Sequence, residues 1–290
     1  MPRWHLVLPG RGTLLVSTDL HGNLADFERL AALFEAALCE DSAGAHWVQL
    51  GDVVHGPDDA ARAEKPELYG YPDESLRIVE GLLAMQRAHP GRVHFVLGNH
   101  DHSHIGGPYT SKFHHDEVAY LEASASAAEL AALRELLGEA LLAVAAPCGL
   151  LLTHGVPDTS LERLEDLDAL SLTGEGNDDR QEDVLRSLLT HYGQPDAIAA
   201  QVLAHVSRAG SNCASSSTAT TGTGGAGSRT GSGACSPRAR RRCRGRARGS
   251  RDPPAVRVSP GGTGACVRGC GVRVPPAAVH LYAGYDRRNS

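Results

Sequence analysis

The chain has 290 residues, of which 41% are hydrophobic and 21% charged, and its formal net charge is −6. This composition excludes a fibre and a wholly disordered chain, and the length suffices to bury the core of one substantial domain. The longest apolar stretch, residues 140–152, is broken by Pro147 and Gly149 and is shorter than the ~20 residues of a membrane span. The amino-terminal residues do not resemble a secretory signal, so we expect a cytoplasmic protein without membrane partners.

Residues 1–210 alternate short apolar runs with amphipathic segments. The predicted strands are residues 12–17, 46–50, 92–97, 141–146, 149–153 and 197–203. The predicted helices are residues 23–40, 74–88, 116–138 and 180–192. Short strands that alternate with helices indicate a layered α/β domain, in which ligands collect beyond the carboxyl ends of the strands.

Polar side chains follow most of the predicted strands at their carboxyl ends. In chain order they are Asp19 and His21, Asp52, Asn99 with His100 and Asp101, His154, and His205. A single histidine after a strand is more often a surface or capping residue than a ligand. Here, however, oxygen and imidazole donors recur after one strand after another without any thiolate, a donor set that suits Mn, Fe or Zn. The sequence therefore predicts a metal site at this edge.

The predicted site has the components of a two-metal hydrolase. Two cations about 3.5 to 4 Å apart can share a bridging carboxylate and a bridging hydroxide and hold the oxygens of an in-line phosphoryl displacement. Asp52 is the candidate bridging carboxylate. Glycines that suit tight turns beside a crowded site adjoin the candidate ligands, at Gly22, Gly51, Gly98 and Gly155.

The order of these motifs, D-x-H, G-D, G-N-H-D, H-G and A-H, resembles that of the calcineurin-like metallophosphoesterases over residues 12–210. The resemblance implies a metallophosphoesterase-type β-sandwich flanked by helices. It also implies hydrolysis of a phosphoester by a metal-bridging hydroxide, with two divalent ions (Mn, Fe or Zn) as cofactors and a phosphorylated protein or nucleotide as substrate. By the same resemblance, Asp19, His21 and Asp52 hold the first metal. The second metal is held by Asp52, Asn99, His154 and His205, and His100 protonates the leaving oxygen.

One branch of that family is particularly similar at residues 18–23. Their sequence T-D-L-H-G-N looks like the G-D-x-H-G-N of Ser/Thr protein phosphatases and diadenosine tetraphosphate hydrolases. The chain departs from that branch at residues 51–57, where G-D-V-V-H-G-P replaces G-D-x-V-D-R-G. His55 and Gly56 therefore stand in place of an aspartate and of an arginine that would hold a phosphate oxygen.

Substrate binding must therefore differ from that branch, and no substrate-binding residue is assigned. Lys112 and Arg208 are candidate replacements for the arginine, although an exposed solubilising role is the simpler interpretation of Lys112. Four histidines near Lys112 either line the mouth of the pocket or lie in a solvated loop, namely His102, His104, His114 and His115.

Residues 211–290 differ in composition from the rest of the chain. They contain 14 Arg, no Lys and two acidic residues, a balance of +12, which leaves −18 for residues 1–210. Residues 211–255 have no Val, Ile, Leu, Met, Phe, Trp or Tyr, so they cannot bury enough apolar surface to offset the entropy of ordering their backbone. We therefore expect a metallophosphoesterase domain at residues 1–210 with an incomplete C-terminus, followed by a disordered Arg/Gly/Ser-rich tail. A strand-like run returns only at residues 279–283.

Two explanations fit the tail. One is a genuine arginine-rich arm that binds nucleic acid through its phosphates. The other is a change of reading frame in a GC-rich gene, which we favour because the break falls inside an unfinished domain whose missing strands would expose a sheet edge. The sequence thus leaves three functions open: an active metallophosphoesterase, a catalytically inactive relic of one, and a nucleic-acid binder that uses the tail.

Overall fold

Two β-sheets form the centre of the computed structural model, which describes residues 3–147, 149–211 and 264–268. The strands are β1 (His5–Val7), β2 (Thr13–Thr18), β3 (His46–Leu50), β4 (Val93–Val96), β5 (Ala143–Ala146), β6 (Leu150–Leu152) and β7 (Gly264–Arg268). One sheet has the order β1-β5-β6, and the other has the order β4-β3-β2-β7. Strands β2, β3 and β4 run parallel, so their carboxyl ends lie at one edge of the second sheet.

Helices surround the sheets, and several of them begin at a capping side chain. They are α1 (Leu24–Glu40), α2 (Asp59–Glu64), α3 (Pro66–Tyr69), α4 (Ser75–Ala88), α5 (Asn99–His102), α6 (Glu117–Ser124), α7 (Ala127–Gly138), α8 (Asp179–Thr190) and α9 (Asp196–Ser211). At the start of α1, the Asn23 side chain accepts a hydrogen bond from the Asp26 N–H (3.2 Å). Short 3₁₀ turns lie at Ser103–Ile105 and Leu164–Ala169.

Strand β3 is buried along its whole length because both faces of its sheet are covered. Val48 packs between the two sheets, in a cluster with Val144 and Leu152 of the facing sheet. The neighbouring side chain, Trp47, points to the opposite face, where its ring lies 5.8 Å from that of Phe27 on α1. The predicted fold, a β-sandwich flanked by helices, is confirmed.

Residues 116–138, predicted as one helix, form two helices instead. Ala125 is extended (φ −84°, ψ 141°) and ends α6. Ser126 then begins α7 with a reciprocal cap, in which its side chain accepts the Glu129 N–H and the Glu129 carboxylate accepts the Ser126 N–H. The cap supplies local hydrogen bonds that favour a new helix start over continuation of α6.

The predicted strand at residues 197–203 is wrong, because these residues lie in α9 and His205 lies on that helix. Ile198, Val202 and Val206 recur at intervals of four, which places them on one helical face, and Val202 and Val206 are buried in the core. The alternation of apolar and polar residues typical of a half-buried strand is missing from this segment.

The predicted tail lies outside the described residues except for Ser211 and for β7, and the strand-like run at residues 279–283 also lies outside them. Strand β7 pairs antiparallel with β2, on the side of β2 that faces away from β3. Across the described ranges, we find no helix with the length and apolarity that a membrane crossing requires.

Candidate metal centre

The predicted ligands Asp19, His21, Asp52, Asn99 and His154 converge at the carboxyl edge of the parallel strands. Asp19 directly follows β2, Asp52 lies two residues beyond β3, and Asn99 begins α5 after β4. His154 lies two residues beyond β6 of the other sheet. Distances of 3.0 to 3.7 Å between their polar side-chain atoms join these residues into one cluster.

Backbone hydrogen bonds keep the loops after β2 and β3 side by side. The Asp19 N–H donates to the Gly51 carbonyl (3.2 Å), and the His21 N–H donates to the Asp52 carbonyl (2.9 Å). The pairing of the two parallel strands thus extends past their ends. This pairing places Asp19 and His21 beside Asp52.

Four non-glycine residues of this edge have backbone angles in the left-handed region, with φ of 51° at Asp19, 41° at His21, 52° at Asp52 and 66° at His55. Such a conformation costs of order 1–3 kcal/mol per residue and persists only where the surroundings enforce it. Gly51 also has a positive φ of 67°, and a Cβ there would collide with the backbone of Gly98. The strain is concentrated in the loops that present the candidate ligands.

Asp52 is the common point of the cluster. Its Oδ1 accepts a hydrogen bond from the His100 N–H (3.0 Å), which fixes the orientation of the carboxylate. Its Oδ2 lies 3.7 Å from Nε2 of His21 and 3.5 Å from Nε2 of His154. Because one carboxylate oxygen faces two imidazoles from different loops, Asp52 has the position expected of a bridging ligand.

Both imidazoles are oriented by backbone carbonyl groups. Nδ1 of His21 lies 3.2 Å from the Val54 carbonyl, and Nδ1 of His154 lies 2.8 Å from the Leu50 carbonyl. A carbonyl oxygen only accepts hydrogen bonds, so the proton of each ring lies on Nδ1 and Nε2 points toward Asp52. A backbone partner on the far nitrogen is the usual arrangement for metal-binding histidines.

The atoms that meet here are mostly hydrogen-bond acceptors. The Asp19 Oδ1 lies 3.7 Å from Nε2 of His21, which in turn faces the Asp52 carboxylate. With Nδ1 protonated, Nε2 of His21 presents a lone pair, so no proton lies between this nitrogen and the two carboxylates. The Lys112 ammonium lies beside them, 2.8 Å from Nε2 of His21. Such a set is stabilised by a cation. The donors present therefore fit a divalent metal ion.

The charges of the cluster point the same way. Burial raises the pKa of Asp52, but the nearby His154, His21 and His100 outweigh burial and lower that pKa below its ordinary value. Burial likewise raises the pKa of Asp19, and the neighbouring His21 and His154 lower that pKa overall. Burial lowers the pKa of His154, while Asp52 and Asp19 raise it by more. The site thus keeps its carboxylates ionised and favours positive charge.

Asn99 and Asp101 complete the loop after β4. Asn99 Oδ1 lies 3.0 Å from Nε2 of His154. The buried Asp101 carboxylate accepts hydrogen bonds from the backbone N–H groups of Asp52 (2.6 Å), Val53 (3.1 Å) and Gly98 (3.1 Å). Burial and the charge of Asp52 raise the pKa of Asp101 in spite of these bonds. Asp101 therefore joins the loops after β3 and β4.

His100 lies in a second buried cluster behind the candidate ligands. Its Nδ1 is 3.0 Å from Glu117 Oε2 and 3.0 Å from Nδ1 of His55, which is 3.4 Å from the same carboxylate oxygen. The other Glu117 oxygen accepts the Phe113 N–H (2.8 Å). Burial lowers the pKa of His100, but Glu117 and Asp52 raise it overall. Burial raises the pKa of Glu117, while its bonds to the two histidines lower it far more.

The histidine chain continues from this cluster toward the surface. His55 Nε2 lies 2.9 Å from Nε2 of His104, and Nδ1 of His104 lies 3.1 Å from Oε1 of Glu122. The side chain of His104 is buried and that of Glu122 is 39% exposed. The residue that replaces the branch's motif aspartate, His55, is thus one link in a run of titratable groups.

The remaining candidates lie in different surroundings. His102 is buried and bonds the Leu172 carbonyl, so it is neither solvated nor at a pocket mouth. His114 stacks on Tyr120, and His115 is exposed. Nζ of Lys112 lies 2.8 Å from Nε2 of His21. The side chain of Arg208 lies outside the described part of the structure.

His205 is half-buried on α9, and its Nδ1 is buried without a hydrogen-bond partner among the described residues. None of the contacts within the described ranges joins it to Asp52, Asn99 or His154. Its assignment to the second metal therefore stays a prediction.

The sequence interpretation missed the roles of Glu117 and Asp101. Asp101 is part of the G-N-H-D motif, which signals its importance but not its three backbone bonds. Glu117 lies in the first turn of α6, where an acidic residue is ordinary because it favours a helix start. Nothing in the local pattern marks it as the partner of His100.

Residues 12–220 match the family described as calcineurin-like phosphoesterase, and the chain belongs to that family. No curated protein matches the chain.

The solved structures that the chain matches include phosphatases. A Saccharomyces cerevisiae protein serine/threonine phosphatase with similarity to human phosphatase PP5 is 16% identical, with a TM-score of 0.41 over 63% of this chain and 52% of its own. A cold-active protein-tyrosine phosphatase of a psychrophilic Shewanella is 19% identical, with a TM-score of 0.46 over 71% and 65%. A putative diadenosine tetraphosphatase is 19% identical, with a TM-score of 0.33 over 53% and 56%. The chain thus spans between about half and two thirds of the length of these structures.

Proposed function

We propose that this chain hydrolyses a phosphoester at a dinuclear metal centre built around Asp52. The observation that supports the proposal most directly is the position of the Asp52 Oδ2, which faces Nε2 of His21 at 3.7 Å and Nε2 of His154 at 3.5 Å. These imidazoles come from two different sheets, and each is oriented by its own backbone carbonyl.

The donors divide into two sets that share Asp52. Asp19 and His21 are the further ligands of the first ion, and Asn99 and His154 are those of the second, together with the predicted ligand His205. Oxygen and imidazole donors without thiolates fit Mn, Fe or Zn. When bound, the two cations would activate a water and stabilise the charge that develops on the phosphoryl oxygens. The strained loops hold the ligands ready for this task.

His100 is the proposed proton donor to the leaving oxygen. The His100 ring lies between two pairs of side chains, His21 with Asp52 on one side and His55 with Glu117 on the other. In each group of three, the possible ligand atoms are close enough together to hold a metal ion. Glu117 and Asp52 together raise the pKa of His100, which favours the protonated ring that an acid requires. Glu117 thus orients the ring and stabilises its charge.

The proposed substrate is a phosphorylated protein or nucleotide, and we expect the enzyme to act in the cytoplasm. The inactive-relic interpretation supposes that the site motifs remain on a scaffold that no longer holds metals. The short distances among Asp19, His21, Asp52, Asn99 and His154 support the active alternative. A nucleic-acid role would depend on the arginine-rich tail alone, which lies mostly outside the described residues.

The test is an activity panel on purified protein stripped of metal and then supplied with Mn, Fe, Zn or Mg. We expect a transition metal to restore hydrolysis of at least one phosphomonoester or phosphodiester. His100→Asn should keep the metals and lower turnover about 10²- to 10⁴-fold, the usual contribution of general acid catalysis. The matched control is the exposed His115→Asn. Two equivalents of metal per chain would exclude the relic, whereas a purified protein that binds no metal and hydrolyses nothing in the panel would leave the relic as the better description.

A further inference from the structure

Lys112 is the one lysine that points into the candidate metal centre. The residue is exposed overall and lies in the loop before α6, yet its ammonium turns inward to within 2.8 Å of Nε2 of His21. His21 presents a lone pair at Nε2 because its Nδ1 faces the Val54 carbonyl, so the ammonium donates a hydrogen bond to it. The other lysine, Lys65, instead lies 4.0 Å from the exposed Glu64.

The loop holds Lys112 in this position through its neighbour, Phe113. The Phe113 N–H donates to the buried carboxylate of Glu117 (2.8 Å), and its ring packs edge-on against the rings of His21 and Tyr69. Nζ of Lys112 also lies 5.1 Å above the Phe113 ring, within the range of a cation–π contact. The inward direction of the ammonium is therefore supported by several contacts.

The position that holds the phosphate-binding arginine in the related branch is closed here. It is occupied by Gly56, and a Cβ added to Gly56 would lie 2.6 Å from atoms of the Asp73 side chain. Asp73 is itself fixed, because it accepts a hydrogen bond from the Ser75 N–H (2.9 Å) at the start of α4. A long cationic side chain at residue 56 would have no room, so a cation for the phosphoryl group must come from another segment.

We infer that Lys112 binds a non-bridging oxygen of the phosphoryl group of the substrate, in place of the motif arginine. The inference rests on the proposed function. Nε2 of His21 has a single lone pair, and once that lone pair is donated to a divalent ion the ammonium of Lys112 has lost its acceptor. The same ammonium remains beside the reaction centre, where an incoming phosphoryl oxygen supplies a new and more strongly charged acceptor.

A lysine does this work differently from an arginine. Its ammonium is a compact charge with three rotatable donors, whereas a guanidinium holds two oxygens in a fixed fork. Lys112 is therefore expected to contribute affinity for the phosphoryl group without fixing its rotation. Its loss should appear in KM and in inhibition by inorganic phosphate more than in kcat.

The test compares Lys112→Met, Lys112→Arg and the control Lys65→Met, each loaded with Mn²⁺. We expect Lys112→Met to raise both KM and the inhibition constant of inorganic phosphate about ten- to hundredfold, the effect of one charged hydrogen bond. Lys112→Arg should restore part of the loss because the charge is kept, and Lys65→Met should match the wild-type protein. Metal content per chain should be the same in all four proteins.

Wild-type KM and phosphate inhibition in Lys112→Met would overturn the inference, and so would a gain in metal affinity as its only effect. Calorimetric titration of the metal-loaded proteins with inorganic phosphate separates this outcome from failure of the proposed function. If the wild-type protein hydrolyses nothing, the proposed function fails. Weaker phosphate binding by Lys112→Met would still support the role of Lys112, and equal binding would refute it.

Discussion

At the scale of single residues, the candidate centre depends on how each polar atom is used. One carboxylate oxygen of Asp52 accepts a hydrogen bond from the His100 N–H, and the other faces His21 and His154. Nδ1 of each imidazole donates a hydrogen bond to a backbone carbonyl, and Nε2 points into the candidate centre. Because these non-ligating atoms of Asp52, His21 and His154 have partners, the remaining atoms have little freedom to turn away, and the candidate site is preorganised for a cation.

Glu117 provides a test of the proposed acid. Glu117→Gln keeps the shape of the side chain but removes the charge that stabilises protonated His100. We expect kcat to fall about tenfold on a phosphoester with an alkyl leaving group, which needs the proton. With a 4-nitrophenyl leaving group, which departs without help, kcat should change less than about twofold.

The control for this substitution is the exposed Glu80→Gln on α4, which should leave both rates unchanged. Metal content should match that of the wild-type protein in both variants. An equal loss of kcat with both leaving groups would show that Glu117 supports the structure of the site without assisting proton transfer.

At the scale of secondary-structure elements, three parallel strands bring the ligands to one edge. This arrangement was predictable, because the apolar runs that precede Asp19, Asp52 and Asn99 mark both the strands and their carboxyl ends. Strand β3 was predicted with the bounds that the structure gives, His46–Leu50. A strand buried on both faces has a strong apolar signal, and its end coincides with Gly51.

The predictions of secondary structure failed where the sequence signal was weak or was not used. The Ser126 and Glu129 pair is a helix-start signature, and it separates α6 from α7. In α9, Ile198, Val202 and Val206 recur at every fourth position, which indicates a helix. The short apolar run alone is equally consistent with a strand. The Glu117 to His100 contact was unpredictable, since it joins α6 to α5 through tertiary packing.

Asp101 offers a test of how the elements are joined. In Asp101→Asn one oxygen can still accept two backbone N–H groups, but the new NH₂ group faces a third donor, such as the Val53 N–H. An unsatisfied buried donor costs about 1–3 kcal/mol. We expect the free energy of unfolding, measured by urea denaturation, to fall by about that amount.

The matched control is Asp179→Asn, at an exposed position of α8, and it should leave the unfolding midpoint nearly unchanged. If Asp101→Asn were as stable as the wild-type protein, the three hydrogen bonds of Asp101 would not be what holds the loops after β3 and β4 together.

At the scale of the whole molecule, the sandwich supplies ligands from both sheets. Asp19, Asp52 and Asn99 follow strands of one sheet, while His154 follows β6 of the other. The packing of Val48 against Val144 and Leu152 holds the two sheets together beneath this edge. The candidate metal centre and the core between the sheets are therefore parts of one arrangement, and a change that separates the sheets would also separate the candidate ligands.

The C-terminal part bears on the same arrangement through β7. Strand β2, which leads to Asp19, pairs with β3 on one side and with β7 on the other. Composition alone predicted no strand in residues 264–268, since arginine and glycine dominate that region. The two explanations of the tail, a genuine arginine-rich arm and a changed reading frame, both remain predictions about residues outside the described ranges.

The central claim is that distant loops hold a pair of cations on either side of Asp52, and anomalous diffraction from crystals grown with Mn²⁺ tests it most directly. The account predicts two anomalous peaks about 3.5 to 4 Å apart. One should lie against Asp19 and His21, the other against Asn99 and His154, and Asp52→Asn should lose at least one of them. Peaks remote from Asp52, or two full peaks in Asp52→Asn, would contradict the account.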